Sequence, residues 1–358
     1  MPAMSPWIVT PLLIVAVGVV LVTALLRVMA VMLLRPPRMS DGRAMAILSR
    51  LTPEDIGLPY QSVTFHARDE RTGEPLDLAA WWIPAEAKSD RTVVLIHGYG
   101  DAKVGGIAWA PVWRELGFHC LAIDLRAHGE SGGRDSTAGY WERHDVNAVL
   151  NDLRAARPES TRHVALFGVS LGAAVAVATA QARDDLLGVV LDSPYPRYRD
   201  AIVAHATLMR MPLDRYRPLA VRWAERMSGA DFERVRPTDL ISSCPCPVLL
   251  IQGDNDPFVP PPDRQKLRDA FAKRGDSFRG VDEEWTVLEA WHCMAVALDP
   301  DAYVARLRGF IERAVSRRDG RSHPERTDSH VTAPQPVTPT SATAARRPGR
   351  GGRGAARW

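Results

Sequence analysis

The chain has 358 residues, 46% of them hydrophobic and 24% charged, and a formal net charge of +3. That balance excludes a wholly disordered chain, a fibre and a multi-span membrane protein. Four cysteines in such a length exclude a small disulfide scaffold.

Met1 to Leu26 carries no charged side chain. As a helix rising about 1.5 Å per residue, Trp7–Leu26 is long enough to cross a hydrocarbon core of about 30 Å. Arg27 interrupts the run, and Val28–Leu34 resumes it; the Arg27 stem can snorkel to the interface. A cleaved signal peptide is the rival reading, yet neither a basic leader nor an A-x-A-like site stands out. Residues 1–38 are therefore expected to be a retained single-pass anchor, the first 34 belonging to the bilayer and not to a core. Arg27, Arg35, Arg38 and Arg43 all lie on the C-terminal side of the span, and no Lys or Arg precedes it. The positive-inside rule then places the body of the protein in the cytoplasm. Cysteines without an evident pairing framework fit that reducing compartment.

Residues 51–316 suffice for one large α/β domain. Val63–His66 and Leu78–Ile83 read as strands joined through Thr72-Gly73-Glu74. Thr92–His97 is an apolar run stopped by Gly98, as a buried parallel strand should be. Phe118–Asp124, Val164–Gly168, Gly188–Asp192, Pro247–Gly253 and Trp285–Glu289 are further strand candidates. Helices are expected over Ile107–Leu116, Arg143–Ala156, Leu171–Arg183, Arg264–Arg274 and Ala302–Arg317. Such alternation implies right-handed crossovers and a mostly parallel sheet with helices on both faces. Ligands on such sheets sit at the carboxyl ends of the strands, so the residues just after each strand are the candidates for chemistry.

After Val164–Gly168 comes Gly168-Val169-Ser170-Leu171-Gly172, a G-x-S-x-G between a strand and a helix. Side chains on either side of so sharp a turn would collide with strand and helix, and the serine is left at the tip. After Pro247–Gly253 come two carboxylates, Asp254 and Asp256; Asp256 is preferred, and Asp192 is a more distant alternative. An acid is needed there to fix the tautomer of an imidazole and stabilise its cation. That imidazole is expected to be His292, which comes after the last strand and completes the order Ser, Asp, His.

At these segments the chain resembles the α/β-hydrolase superfamily, over about Val63 to Val315. Asp124-Leu125-Arg126-Ala127-His128-Gly129-Glu130-Ser131 is similar to the family's D-x-R-G-H-G-x-S loop, with Ala127 in place of the usual glycine. Asp192-Ser193-Pro194-Tyr195 resembles its strand-six ending. With the N-terminal span, the whole looks like the membrane-anchored Bem46-like or serine-aminopeptidase-like hydrolases. The resemblance implies an α/β-hydrolase fold with an eight-stranded, mostly parallel sheet. It implies Ser170 as nucleophile, Asp256 and His292 as its partners, and an acyl-enzyme resolved by water. It also implies an oxyanion hole from the N–H groups of Tyr99, in the His97-Gly98-Tyr99-Gly100 loop, and Leu171, with Gly98 a lesser candidate for the first. Relatives that use aspartate as nucleophile are disfavoured by Ser170. Arg126, His128, Asp145 and Asn147 are expected to be structural.

Residues 194–243 lie where this fold often inserts a lid. Tyr99, Met209 and Met211 are candidates to line an adaptable acyl site there. Cys244-Pro245-Cys246 lacks a second ligand pair and makes a weak metal motif. No dinucleotide or phosphate loop is present, so no cofactor and no metal are expected. Residues 317–358 carry nine arginines and three acids and are expected to form a disordered basic tail, leaving a body with net charge −3. The tail reads as solubilising, and no nucleic-acid partner is expected. The function expected is a serine hydrolase acting on a small-molecule ester or, second, an amide. Acyl transfer and a non-catalytic binding module are the alternatives.

Overall fold

The computed structural model describes residues 6–39, 48–210 and 214–322. Among these, eight strands form one sheet: β1 (Gln61–Arg68), β2 (Pro75–Ile83), β3 (Arg91–Ile96), β4 (His119–Ile123), β5 (His163–Val169), β6 (Leu186–Asp192), β7 (Val248–Gly253) and β8 (Glu283–Val287). Their spatial order is β1-β2-β4-β3-β5-β6-β7-β8. β2 pairs antiparallel with both neighbours, and every other pairing is parallel. Strands β5, β6 and β7 are buried along their whole length, which is why each is dominated by a continuous apolar run. β1, at the edge, alternates exposed and half-buried residues instead.

Helices cover both faces. On one lie α3 (Glu142–Ala156), α4 (Leu171–Ala180) and α8 (Pro261–Ala272), through Val149, Leu150, Leu153, Val175 and Leu267. All ten residues of α4 are buried, and its run of alanine and valine lets it sit close on the sheet. On the other lie α2 (Ala110–Glu115) and α10 (Pro300–Ser322), through Trp113, Tyr303, Leu307 and Phe310. Trp113 meets Phe118 and Phe167 edge-on at 5.1 and 5.9 Å between ring centroids. Each such fully buried aromatic contributes roughly 1.5–3 kcal/mol. Between β6 and β7 run α5 (Tyr198–Leu208), α6 (Arg217–Ser228) and α7 (Pro237–Ser242), and α9 (Ala295–Leu298) precedes α10.

Several boundaries differ from those expected. The helix expected from Ile107 begins as a 3-10 turn over Lys103–Ala108, and α2 starts only at Ala110, where Pro111 suits the first turn. β8 ends two residues early, because Glu289 adopts a left-handed conformation. α10 continues past Ser316 to Ser322, into the stretch expected to be tail; the rest of that tail lies outside the described residues.

The N-terminal helix α1 (Pro6–Leu34) is continuous through Arg27 and long and apolar enough to cross a bilayer. The expectation that the first 34 residues of the chain belong to the bilayer and not to a core fails at the end of this helix. Leu26, Ala30 and Leu34, spaced four apart on one face, are buried, and Ala30 and Leu34 join the core cluster of the α/β domain. The residues just past the helix are tethered to the same domain. Arg38 donates to the carbonyls of Gly129, Ser131 and Gly133, and Arg35 pairs with Asp135 at 3.1 Å.

Candidate active site

The sheet order reverses at β3, between β4 and β5, and the loops leaving β3 and β5 face each other there. Ser170 sits between β5 and α4 with φ 52° and ψ −112°, a strained backbone for a residue with a side chain. The geometry is forced by close approach. A Cβ on Gly168 would strike the carbonyl of Gly172, and one on Gly172 would strike the carbonyl of Ile96 at the end of β3. The strained turn is held from below by the Ser170 N–H, which donates to the Asp192 carbonyl at 2.9 Å. Gly98 lies directly against the Ser170 side chain, its own Cβ position 3.6 Å from the serine Cβ. The Tyr99 and Leu171 backbones therefore flank Ser170 from the β3 loop and from the first turn of α4.

His292 lies beyond β8 on the loop into α9. Its Nδ1 lies 2.6 Å from Oδ2 of Asp256. A carboxylate only accepts, so Nδ1 carries the proton and Nε2 is left as the free basic nitrogen. Asp256 is 3% exposed. Its other oxygen, Oδ1, accepts from the backbone N–H of Phe258 at 2.8 Å and of Val259 at 3.2 Å. The Phe258 ring packs on the imidazole at 5.0 Å. The competing acids are otherwise engaged. Asp254 accepts from the Glu289 N–H. Asp192 accepts from Ser193 and Tyr303, and burial pushes its carboxyl up to about 6. Ser193 Oγ in turn accepts from the N–H of Cys293, steadying the loop next to His292.

A layer of buried polar groups supports the β3 loop, and sequence reasoning missed most of it. His97 accepts at Nε2 from the Leu125 N–H and so donates from Nδ1 to the Gly98 carbonyl at 2.7 Å. Burial holds its imidazole below the usual range, in keeping with that neutral tautomer. His97 thereby fixes the peptide that carries the Tyr99 N–H; its place at the end of β3 was the available signal. Lys103 is buried and bonds Asp124 at 2.8 Å. The Asp124 oxygens also accept the N–H groups of Lys103 and Glu130. Arg126 grips Asp145 with two bonds and reaches Asp69 at 3.0 Å. His128 donates to the Arg126 carbonyl. These contacts tie down the turn after β4 and do not reach Ser170.

Ser170 opens into a half-open cavity of about 210 Å³. One wall is Tyr99, Leu171 and Tyr195; another is Tyr198, Ile202 and His205 of α5 with Ala220 of α6. The third wall is the end of α1, through Met29, Met32 and Leu33. Sequence reasoning reserved these residues for the bilayer and so missed them as site residues. Tyr99, expected at this site, lines it. Met209 is 66% exposed at the end of α5 and is not among the lining residues. Met211 lies outside the described residues. His205 is in contact with Phe258, and burial holds its imidazole below the usual range.

The profile of the alpha/beta hydrolase family matches residues 93–306. The esterase Pf2001 of Pyrococcus furiosus superposes with a TM-score of 0.60 at 25% identity, over 78% of this chain and 98% of that one. The membrane protein YNL320W of Saccharomyces cerevisiae is 26% identical over 219 residues, 60% of this chain and 69% of its own length. Protein bem46 of Schizosaccharomyces pombe is 25% identical over 217 residues, 59% of this chain and 65% of its own length.

Proposed function

The chain belongs to the alpha/beta hydrolase family, and from that premise we propose that it is a membrane-anchored serine hydrolase cleaving carboxylic esters. The reading rests above all on the 2.6 Å contact of His292 Nδ1 with a buried Asp256, on loops leaving the same sheet edge as the strained Ser170. An esterase among its structural relatives supports the same reaction class.

In this reading Nε2 of His292 takes the Ser170 proton as Oγ attacks the ester carbonyl. Asp256 keeps the imidazole in the accepting tautomer and stabilises the cation that forms. The N–H groups of Tyr99 and Leu171 hold the negative oxygen of the tetrahedral intermediate. His292 then returns its proton to the departing alkoxide, and an alcohol leaves. Water, deprotonated by His292, attacks the acyl-serine, the acid departs, and Ser170 recovers its proton. Acyl transfer differs only in the nucleophile of this last step. A purely binding role predicts ligand affinity that survives loss of Ser170, with no turnover.

Labelling by a fluorophosphonate tests the proposal. Wild-type protein is expected to label and Ser170→Ala not to; equal labelling refutes it. The arginines that follow the span, Arg27, Arg35, Arg38 and Arg43, support a domain on the cytoplasmic side. A topology reporter fused after Val315 is expected to be active in the cytoplasm, and activity confined to the opposite side refutes that orientation.

A further inference from the structure

The anchor helix is built into the cavity, and this bears on the substrate. From Trp7 to Ala24 the described side chains of α1 are exposed, and burial begins at Leu25 and Leu26. At about 1.5 Å per residue the exposed stretch spans roughly 27 Å, close to the thickness of a hydrocarbon core. The membrane surface then falls near Leu25–Arg27, where the exposed Arg27 suits an interface. Met29, Met32 and Leu33, the cavity residues of α1, come within the next two turns, or about 10 Å.

The helix end is also held rigidly. Its last carbonyls lack partners within the helix. Tyr99 donates its hydroxyl to the Met32 carbonyl at 2.8 Å, Tyr198 to the Leu33 carbonyl at 3.0 Å, and the Ser136 N–H to the Leu34 carbonyl at 2.7 Å. Both tyrosines line the cavity. The site therefore cannot swing away from the bilayer on a flexible stalk. The helices that wall the cavity also expose apolar side chains: Val28 and Met32 on α1, Val203 and Leu208 on α5, and Leu219 on α6. Apolar groups gathered on the elements around one opening mark a membrane or partner surface, and here the bilayer is the neighbour.

Resting on the serine-hydrolase reading, we propose that the substrate is an acyl ester of a bilayer lipid. The acyl chain passes from the membrane into the cavity along Met29, Met32 and Leu33 of α1, and the ester carbonyl stops at Ser170. Methionine suits such a wall because its unbranched thioether adapts to flexible chains.

The test uses the full chain reconstituted in palmitoyl-oleoyl-phosphatidylcholine vesicles containing monopalmitoylglycerol. Fatty-acid release from either lipid is compared with hydrolysis of p-nitrophenyl acetate added to the same vesicles. Wild type is expected to release fatty acid, dependent on Ser170. Met29→Trp, and independently Ile202→Trp on the opposite wall, are expected to lower the lipid-to-acetate rate ratio about ten-fold or more. Val20→Trp, on the exposed part of α1, is expected to leave the ratio unchanged. Ser170-dependent acetate hydrolysis without fatty-acid release overturns the proposal while the hydrolase reading stands. So does an unchanged ratio in either wall variant that still labels with fluorophosphonate. Absence of any Ser170-dependent labelling or turnover refutes the hydrolase reading itself, and the lipid proposal with it.

Discussion

Replacing Asp256 by asparagine changes one atom and tests the proposed proton path. In the wild type Oδ1 accepts from two backbone N–H groups, Phe258 and Val259, and Oδ2 faces His292 Nδ1. An asparagine has one oxygen and one NH2. With the oxygen on the two backbone donors, the NH2 points at Nδ1 and donates to it. The imidazole proton must then move to Nε2, and His292 can no longer accept from Ser170. The opposite rotamer restores the tautomer but sets an NH2 against two backbone N–H donors, one buried and one partly buried. Two such unmet donors cost about 1–3 kcal/mol each. The productive rotamer is therefore disfavoured by about 2–6 kcal/mol, and at about 1.4 kcal/mol per decade the rate falls by about 30- to 10⁴-fold. The assay is kcat/KM for a p-nitrophenyl ester alongside the fluorophosphonate labelling rate, with thermal denaturation to show that the fold persists. A folded variant that loses less than about ten-fold refutes the assigned role of Asp256.

Two further substitutions probe the buried polar support. Lys103→Met leaves the fully buried Asp124 without its ammonium partner and is expected to destabilise by about 3–5 kcal/mol in chemical denaturation; a loss below about 1 kcal/mol shows that the pair contributes little. Burial pushes the His128 imidazole from its ordinary 6.5 down to about 4. The unfolded chain binds a proton there that the folded one refuses, so this contribution is complete above pH 6.5 and is lost as pH falls toward 4. The span corresponds to about 3 kcal/mol. His128→Asn keeps a donor for the Arg126 carbonyl and is expected to flatten the stability slope between pH 6.5 and 4; an unchanged slope contradicts the argument.

Much of the fold was legible because its chemistry is local. Strands such as Val248–Gly253 are buried throughout and open on the apolar run Val248–Ile251, since both sheet faces are covered. The G-x-S-x-G run at Gly168–Gly172 announces a turn in which no side chain fits on either glycine. β8 was less legible because its pattern is mostly half-buried, and a period of two is weak over five residues. The buried polar support was hidden for a different reason. Lys103 and Asp124, or Arg126 and Asp145, are ordinary surface-type residues in the chain, and only folding takes them out of water together.

The sequence by itself determined the sheet, the turn at Ser170, the chain order of serine, acid and histidine, and the apolar N-terminal span. Each arises from short-range rules: periodicity, glycine sterics, and residue type at the end of a strand. The tertiary structure decided which carboxylate meets His292, because Asp254 and Asp256 are equivalent in composition and differ only in where their loop aims them. It also decided that α1 is two things at once. Hydropathy measures transfer out of water and cannot tell lipid from protein as the destination. Only the burial of Leu26 and the packing of Ala30 and Leu34 on the domain divide the helix into an exposed apolar stretch and a wall of the cavity at Ser170.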